Sequence, residues 1–365
     1  MSPQDLESRS GIITTRAPGR VNLIGEHTDY NAGFVLPTPI PQHTTVQLIP
    51  TVATTVHARS ADMPGEERSY RLGEEQRQRG WIDYIQGVTF ILARDGHKIG
   101  GFDLSLQSEV PIGSGLSSSA ALEIALLRAL REAFALPLTD VQLAQIGQRV
   151  ENEFVGAPVG IMDQMASSLG RPGEALFLDT DTLKWELIPL PASVELVVID
   201  SLVRHNHASG DYRTRREECE RACVALGVTR LRDVDPVALG ALDALETLPD
   251  LLMRRARHVV SENRRVLEMV DALRQENLDE CGRVLDAGHI SLRDDFEISV
   301  PEVDRLVEIA TTRDDIYGAR MTGGGFGGAI IALAPTGAGR RAAVDIVERY
   351  SAETGKPASV LVPGA

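Results

Sequence analysis

The sequence predicts an α+β protein of two domains. Three observations predict it. The chain has 365 residues, too many for one ordinary core. Its first half reads mainly as strands. Near residue 192 the pattern changes to long, charged helices, so residues 1–192 are expected to form an N-terminal domain and residues 193–365 a C-terminal one.

The elements follow in order. Residues 44–50 and 54–60 read as paired strands, and Phe102 to Leu106 alternates apolar with polar at the period of a half-buried strand. The segment Pro111-Ile-Gly-Ser-Gly-Leu-Ser-Ser-Ser-Ala-Ala121 then leads into a helix with Leu122, Leu126, Leu130 and Phe134 at spacings of four. A second helix follows Leu138-Thr-Asp140 and runs to about Phe154. Residues 176–178 and 185–187 flank a turn at 179–182, a hairpin pattern. Residues 194–199 read as a buried strand. Helices are expected over 214–226, 252–274 and 278–290. The chain closes with a strand (318–321), a glycine-rich loop, a strand (329–333), a helix (340–353) and a strand (359–362). No internal repeat or low-complexity linker interrupts it.

Composition narrows the function. Apolar residues make up 43% and charged residues 24%, a soluble globular mix, and no apolar run reaches the length of a membrane span. The polar start, with Asp5 and Glu7, does not read as a secretory leader. Cys219, Cys223 and Cys281 are an odd set without metal-type spacing, which argues for reduced thiols and a cytoplasmic home. A formal net charge of −15 disfavours nucleic acid or an anionic membrane as the main partner. It does not exclude a nucleotide, whose phosphates need only a few local donors.

Three segments carry chemistry. Gly113, Gly115 and the serines Ser114, Ser117, Ser118 and Ser119 precede a helix. Glycines permit close approach of a ligand, and the unpaired N–H groups of the helix start attract an anion. A plain strand-turn-helix with serine caps fits the same letters. The Walker spacing is absent. Gly323-Gly-Gly-Phe-Gly-Gly328 satisfies a dinucleotide pattern in letters only, because a strand follows it; a glycine wall that another loop or a substrate can approach fits better. The run from Arg20 to Tyr30 packs Arg20, Glu26, His27 and Asp29 into eleven residues, either a solvated loop or a partly buried site whose polar groups need partners such as sugar hydroxyls. Asp163, in a stretch poor in charge, reads as a helix cap or as a third site element.

Taken together, these segments resemble the GHMP family of small-molecule kinases, and within it the galactokinases. The resemblance is carried by Ala17-Pro-Gly-Arg-Val-Asn-Leu-Ile-Gly-Glu-His-Thr-Asp-Tyr30, by residues 111–121, by Met321-Thr-Gly-Gly-Gly-Phe-Gly-Gly328, and by Gly160-Ile-Met-Asp-Gln164, Tyr212-Arg-Thr-Arg-Arg-Glu-Glu-Cys-Glu220 and the weaker His289 to Ser299. It runs from about residue 12 to the end.

The resemblance implies an N-terminal domain like ribosomal protein S5 domain 2, a ferredoxin-like C-terminal domain and an active site in the cleft between them. It implies ATP-dependent phosphorylation of the anomeric hydroxyl of galactose, as in galactose catabolism, by a cytoplasmic monomer that uses Mg2+. Asp163 and Arg20 are the expected catalytic pair, with Asp163 either taking the proton of the anomeric hydroxyl or only orienting it. Glu26, His27, Asp29, Tyr212 and the backbone of Gly160 are expected at the sugar. Pro111, Gly113, Ser114, Gly115, Leu116, Ser117, Ser118 and Ser119 are expected around the ATP phosphates. Trp81 is expected near adenine, although a core role fits it too. Ser119 and Glu151 are the expected metal ligands. Alternatives within the resemblance are a kinase for N-acetylgalactosamine, arabinose or galacturonate, and a galactose sensor without catalysis. Three departures stand out: Ala32 where an acidic residue is common, Phe296 where tyrosine is usual, and Ala208-Ser-Gly-Asp211, whose wording is unusual for the family.

Overall fold

The computed structural model of the protein describes residues 11–63, 65–204, 208–234 and 245–363. The polar stretch weighed as a leader lies largely outside them. The chain forms two compact units that interleave along the sequence. The first takes the described residues of Met1–Arg20, Ile40–Pro111 and Ser117–Leu169; the second takes Val21–Pro39, Ile112–Leu116 and those of Gly170–Ala365. A single cut near residue 192 does not coincide with these units. The reason is a small sheet of β2 (Phe34–Val35), β7 (Glu174–Asp179) and β8 (Trp185–Pro189), which packs against the helix Asp250–Arg274. Arg232 fastens it by pairing with Asp179, and Arg274 donates to Glu186 at 2.8 Å.

The first unit is built on a five-stranded sheet of order β1-β3-β6-β4-β5, with β1 Ile13–Asn22, β3 Pro37–Pro50, β4 Thr55–Ser60, β5 Glu67–Arg71 and β6 Phe102–Ser108. One face, with Val46, Leu48, Val56, Ala58, Phe102, Leu104 and Leu106, is buried against helices. β3 and β4 are therefore not partners, contrary to the sequence expectation. β6 lies between them, antiparallel to β3 and parallel to β4. The parallel pairing requires a crossover, and the helix Ile82–Arg94 supplies it. Gly101 makes the insertion possible. Its N–H donates to Ala53 O at 2.8 Å, and any Cβ there would stand 2.4 Å from Thr55 O.

The helices Ser118–Ala133, Asp140–Arg149 and Met162–Leu169 complete this unit. Ser118–Ala133 buries Ile124, Leu126, Leu127 and Leu130. Asp140–Arg149 opens with a reciprocal capping box between Thr139 and Gln142. It passes into a π-helical turn, Val150–Val155, in place of a regular helix to Phe154.

The second unit contains a four-stranded antiparallel sheet of order β10-β11-β9-β12: β9 Val194–Asp200, β10 Gly318–Thr322, β11 Ala329–Pro335 and β12 Ser359–Val362. Strand, helices, hairpin, helix and strand follow in the βαββαβ order of a ferredoxin-like domain. β9 sits between β11 and β12, so Val197, Val198 and Ile199 are buried, as their apolar run predicts. The helices are Ala208–Leu226, Asp250–Arg274, Leu278–Asp294, Pro301–Thr311 and Gly339–Thr354. The unusual Ala208 to Asp211 segment is the first helical turn rather than a loop. Pro301 suits the first turn of its helix, where no N–H is needed. Among the described residues no helix is long and apolar enough to cross a membrane.

Candidate functional site

In the first unit the polar residues converge on the start of two helices. Arg20, on β1 and 4% exposed, donates from Nε and Nη2 to Asp163 Oδ1 at 2.8 and 2.6 Å. Asp163 lies in the first turn of Met162–Leu169, where a negative charge suits the helix dipole. Its other oxygen, Oδ2, accepts from Ser117 Oγ at 2.5 Å. Ser117 stands just before the helix Ser118–Ala133 at φ 63°, in the left-handed region, and its hydroxyl makes no cap bond within that helix. The serine turn and the aspartate–arginine pair are thus one hydrogen-bonded group.

Two residues on, Ser119 Oγ donates to Glu151 Oε1 at 2.8 Å. Burial is the main reason that the Glu151 carboxyl is pushed up to about 7; the Ser119 bond opposes the shift and the charge of Asp163 adds to it. Behind it, Gln164 Nε2 donates to Glu151 Oε1 at 3.4 Å and to Glu123 Oε2 at 3.3 Å. Glu123 is fully buried, which pushes its carboxyl well above the usual range, and its Oε1 has no hydrogen-bond partner among the described residues. Gly160 is buried two residues before Met162–Leu169. Trp81 stands apart from this group. It precedes the helix Ile82–Arg94, donates from Nε1 to Glu66 Oε2 at 3.3 Å, and lays part of its ring on the apolar core.

In the second unit the turn after β1 carries residues expected from the sequence at the sugar. Glu26 is 2% exposed, and its Oε1 accepts from Gly323 N at 2.7 Å and from Thr322 Oγ1 at 3.2 Å. His27 takes φ 61° and is buried against Tyr212 and Phe296, at ring-centroid distances of 5.0 and 4.9 Å. Its Nε2 lies 3.2 Å from Gly324 O and its Nδ1 2.8 Å from Tyr30 Oη. A carbonyl only accepts, so Nε2 carries the proton and Nδ1 accepts from tyrosine. Burial, with the charge of His258 second, lowers the His27 pKa to about 3, and the ring is neutral. Asp29 is half-buried, and its Oδ1 accepts from Tyr30 N at 2.9 Å. Phe296, where tyrosine is usual, is a fully buried ring between His27 and His258.

The same unit holds the two glycine loops back to back. Gly113 and Gly115 have φ of 72° and 77°. A Cβ on Gly323 would meet Gly115 O at 2.8 Å, and one on Gly328 would meet Ser114 O at 3.0 Å. The second loop is a wall against which the first one rests, as its letters suggest. Ser114 and Leu116 are buried, whereas Gly113 and Gly115 are exposed. Sequence reasoning does not single out Arg204, which donates to both oxygens of buried Asp200 at 2.8 and 2.6 Å and runs alongside Gly113. It also misses Glu123. The available signal is a lone carboxylate four residues after Ser119 on an otherwise apolar helix face.

Known proteins match this arrangement. The family model of the GHMP kinases N-terminal domain matches residues 83–171, and that of the GHMP kinases C-terminal domain matches residues 269–352. The chain thus has the fold of a small-molecule kinase of the GHMP class. A galactokinase galactose-binding signature matches residues 6–50. Among solved structures, Lactococcus lactis galactokinase complexed with galactose superposes with a TM-score of 0.92 at 32% identity, over 98% of this chain and 94% of that one. The chain belongs to the galactokinase family. Methanococcus jannaschii mevalonate kinase shares the fold at a TM-score of 0.70 and 18% identity, over 97% and 98% of the two chains. Streptococcus pneumoniae phosphomevalonate kinase, in complex with phosphomevalonate and AMPPNP, does so at 0.66 and 14%, over 96% and 100%.

Proposed function

We propose that the protein transfers the γ-phosphoryl group of ATP to the anomeric hydroxyl of D-galactose, giving galactose 1-phosphate and ADP, in the cytoplasm and as a monomer. The observation that carries the reading is the group formed by Arg20, Asp163 and Ser117, in a chain that also bears the galactose-binding signature. Phosphoryl transfer asks a protein mainly for positioning and charge stabilisation, and this group supplies both.

In this reading the sugar lies on Glu26, His27, Asp29 and Tyr212, with the backbone of Gly160 beside it. The anomeric oxygen attacks the γ-phosphorus as the bond to the bridging oxygen of ADP breaks. Its proton passes late to Asp163 Oδ2, the oxygen that Ser117 holds in place. Arg20 keeps the carboxylate in a single orientation and offers positive charge to the moving phosphoryl. A lysine could not reproduce its two-point grip. Pro111, Gly113, Ser114, Gly115, Leu116, Ser117 and Ser118 cradle the phosphates, and Trp81 borders the base.

The donor set at Ser119 and Glu151 fits a magnesium ion: both offer hard oxygens, and a carboxylate held up to about 7 by burial gains most from a cation. When bound there, magnesium would offset charge on the phosphate oxygens. The test is ADP release measured over a panel of hexoses and pentoses, with the phosphate position of the product read by NMR. Galactose-dependent release with phosphate on carbon one is expected. ADP release with no galactose dependence would reject the assignment.

A further inference from the structure

The turn that presents Glu26 and His27 is held partly by itself, with Thr28 Oγ1 donating to Gly25 O at 2.8 Å and Asn31 Nδ2 to His27 O at 2.9 Å, and partly from outside. Gly25 has φ +99° and His27 φ 61°, and the turn presents the backbone N–H groups of Gly25 and Glu26 side by side. Both donate to one atom, Glu262 Oε1, at 2.9 and 3.2 Å. Glu262 lies on the helix Asp250–Arg274 and is completely buried. Its neighbours on that helix complete the grip. His258 Nε2 lies 3.1 Å from Glu26 O, and Asn263 Oδ1 accepts from Phe34 N at 2.8 Å.

A buried carboxylate requires compensation, and two arginines provide it. Arg320 Nη1 donates to Glu262 Oε1 at 2.9 Å, and Arg265 Nε donates to Oε2 at 2.7 Å. Burial alone would raise the pKa of Glu262, but the charges of Arg320, then Arg265 and His258, hold it well below the usual carboxylate range. Arg320 is also fully buried, and its Nη2 has no hydrogen-bond partner among the described residues. A buried ion pair of this kind is weak evidence for stability, because apolar residues of similar volume often serve as well. What apolar residues cannot do is accept two successive backbone N–H groups.

We propose that Glu262 is a positioning residue for the sugar: it fixes the backbone at Gly25 and Glu26 so that Glu26, His27 and Asp29 present their side chains in one geometry. The inference rests on the galactose reading above. Glu262 acts from beneath the turn and through its backbone, so its loss weakens sugar binding without touching the transfer step.

Two full-length variants test it. Glu262→Gln keeps the shape and one acceptor. The double variant Glu262→Met with Arg320→Met removes the fully buried pair together and leaves only the partly exposed Arg265 without its carboxylate. Tm, kcat, and KM for each substrate are measured by ADP release, and galactose affinity by calorimetry. In the double variant, KM for galactose is expected to rise about tenfold or more while KM for ATP and kcat stay within about threefold. Glu262→Gln is expected to fall between it and the wild type. If the folded double variant keeps a galactose KM within about twofold of wild type, or if kcat and both substrate affinities decline together with Tm, Glu262 is only structural and the inference fails. A wild-type protein inactive on galactose would instead strike the functional reading itself.

Discussion

The Asp163 group and the Glu26 turn solve one problem in opposite ways. At Asp163, side chains hold a side chain: a guanidinium takes one carboxylate oxygen, a serine hydroxyl takes the other, and the carboxyl side chain keeps 27% of its surface exposed. At the Glu26 turn, buried side chains hold backbone: Glu262, His258 and Asn263 each bond a main-chain group of residues 25–34. A group that must meet a changing substrate needs free surface and replaceable partners. A group that must present a fixed template needs its backbone locked, and that requires burial. Damage to the first should therefore appear in kcat, and damage to the second in stability and sugar affinity.

The largest expected effect falls on the first region. Asp163→Asn should lower kcat by about 10²–10⁴-fold while the galactose dissociation constant and Tm change little. A near-normal kcat would remove Asp163 from the chemistry. Next comes the contact between the glycine loops. Gly323 has φ +89°, and a Cβ would stand 2.8 Å from Gly115 O, so Gly323→Ala should cost about 1–3 kcal/mol of stability by chemical denaturation. Unchanged stability would show that the loops can separate freely.

The pH dependence sharpens the second region. Burial is the main cause that lowers the pKa of His27 to about 3 and of His258 to about 4, whereas each unfolded ring titrates near 6.5. As pH falls below 6.5 the unfolded chain takes up protons that the folded one refuses. The stability each ring contributes is therefore intact above 6.5 and lost progressively down to about 3 for His27 and about 4 for His258. At pH 5 the loss is about 2 kcal/mol for each ring. Denaturation at pH 7.5 and pH 5 should show this slope, and His258→Asn should remove about half of it; an unaltered slope would mean that other groups set it. The smallest effect returns to the first region. Ser117→Ala removes one hydrogen bond to a carboxylate and should lower kcat about tenfold, with no change in galactose affinity.

Much of the candidate site can be read along the chain because its signals are local. Glycines with serines before a helix, a dense polar turn between apolar residues, and a lone aspartate at a helix start each announce themselves within a dozen residues. Glu123 and Arg204 were hard to read for the opposite reason. A glutamate on a helix and an arginine after a strand look like ordinary surface charge until burial and neighbours are known.

The order of strands and helices in the second unit, the serine turn and the polar turn are properties of the sequence itself, since backbone preference and apolar period act between near neighbours. Tertiary structure alone decided that β6 enters between β3 and β4, that Arg20 meets a carboxylate 143 positions away, and that Glu262 reaches Gly25 across 237. Such choices depend on which packed surfaces meet and which buried charges then need partners, and no local pattern encodes either.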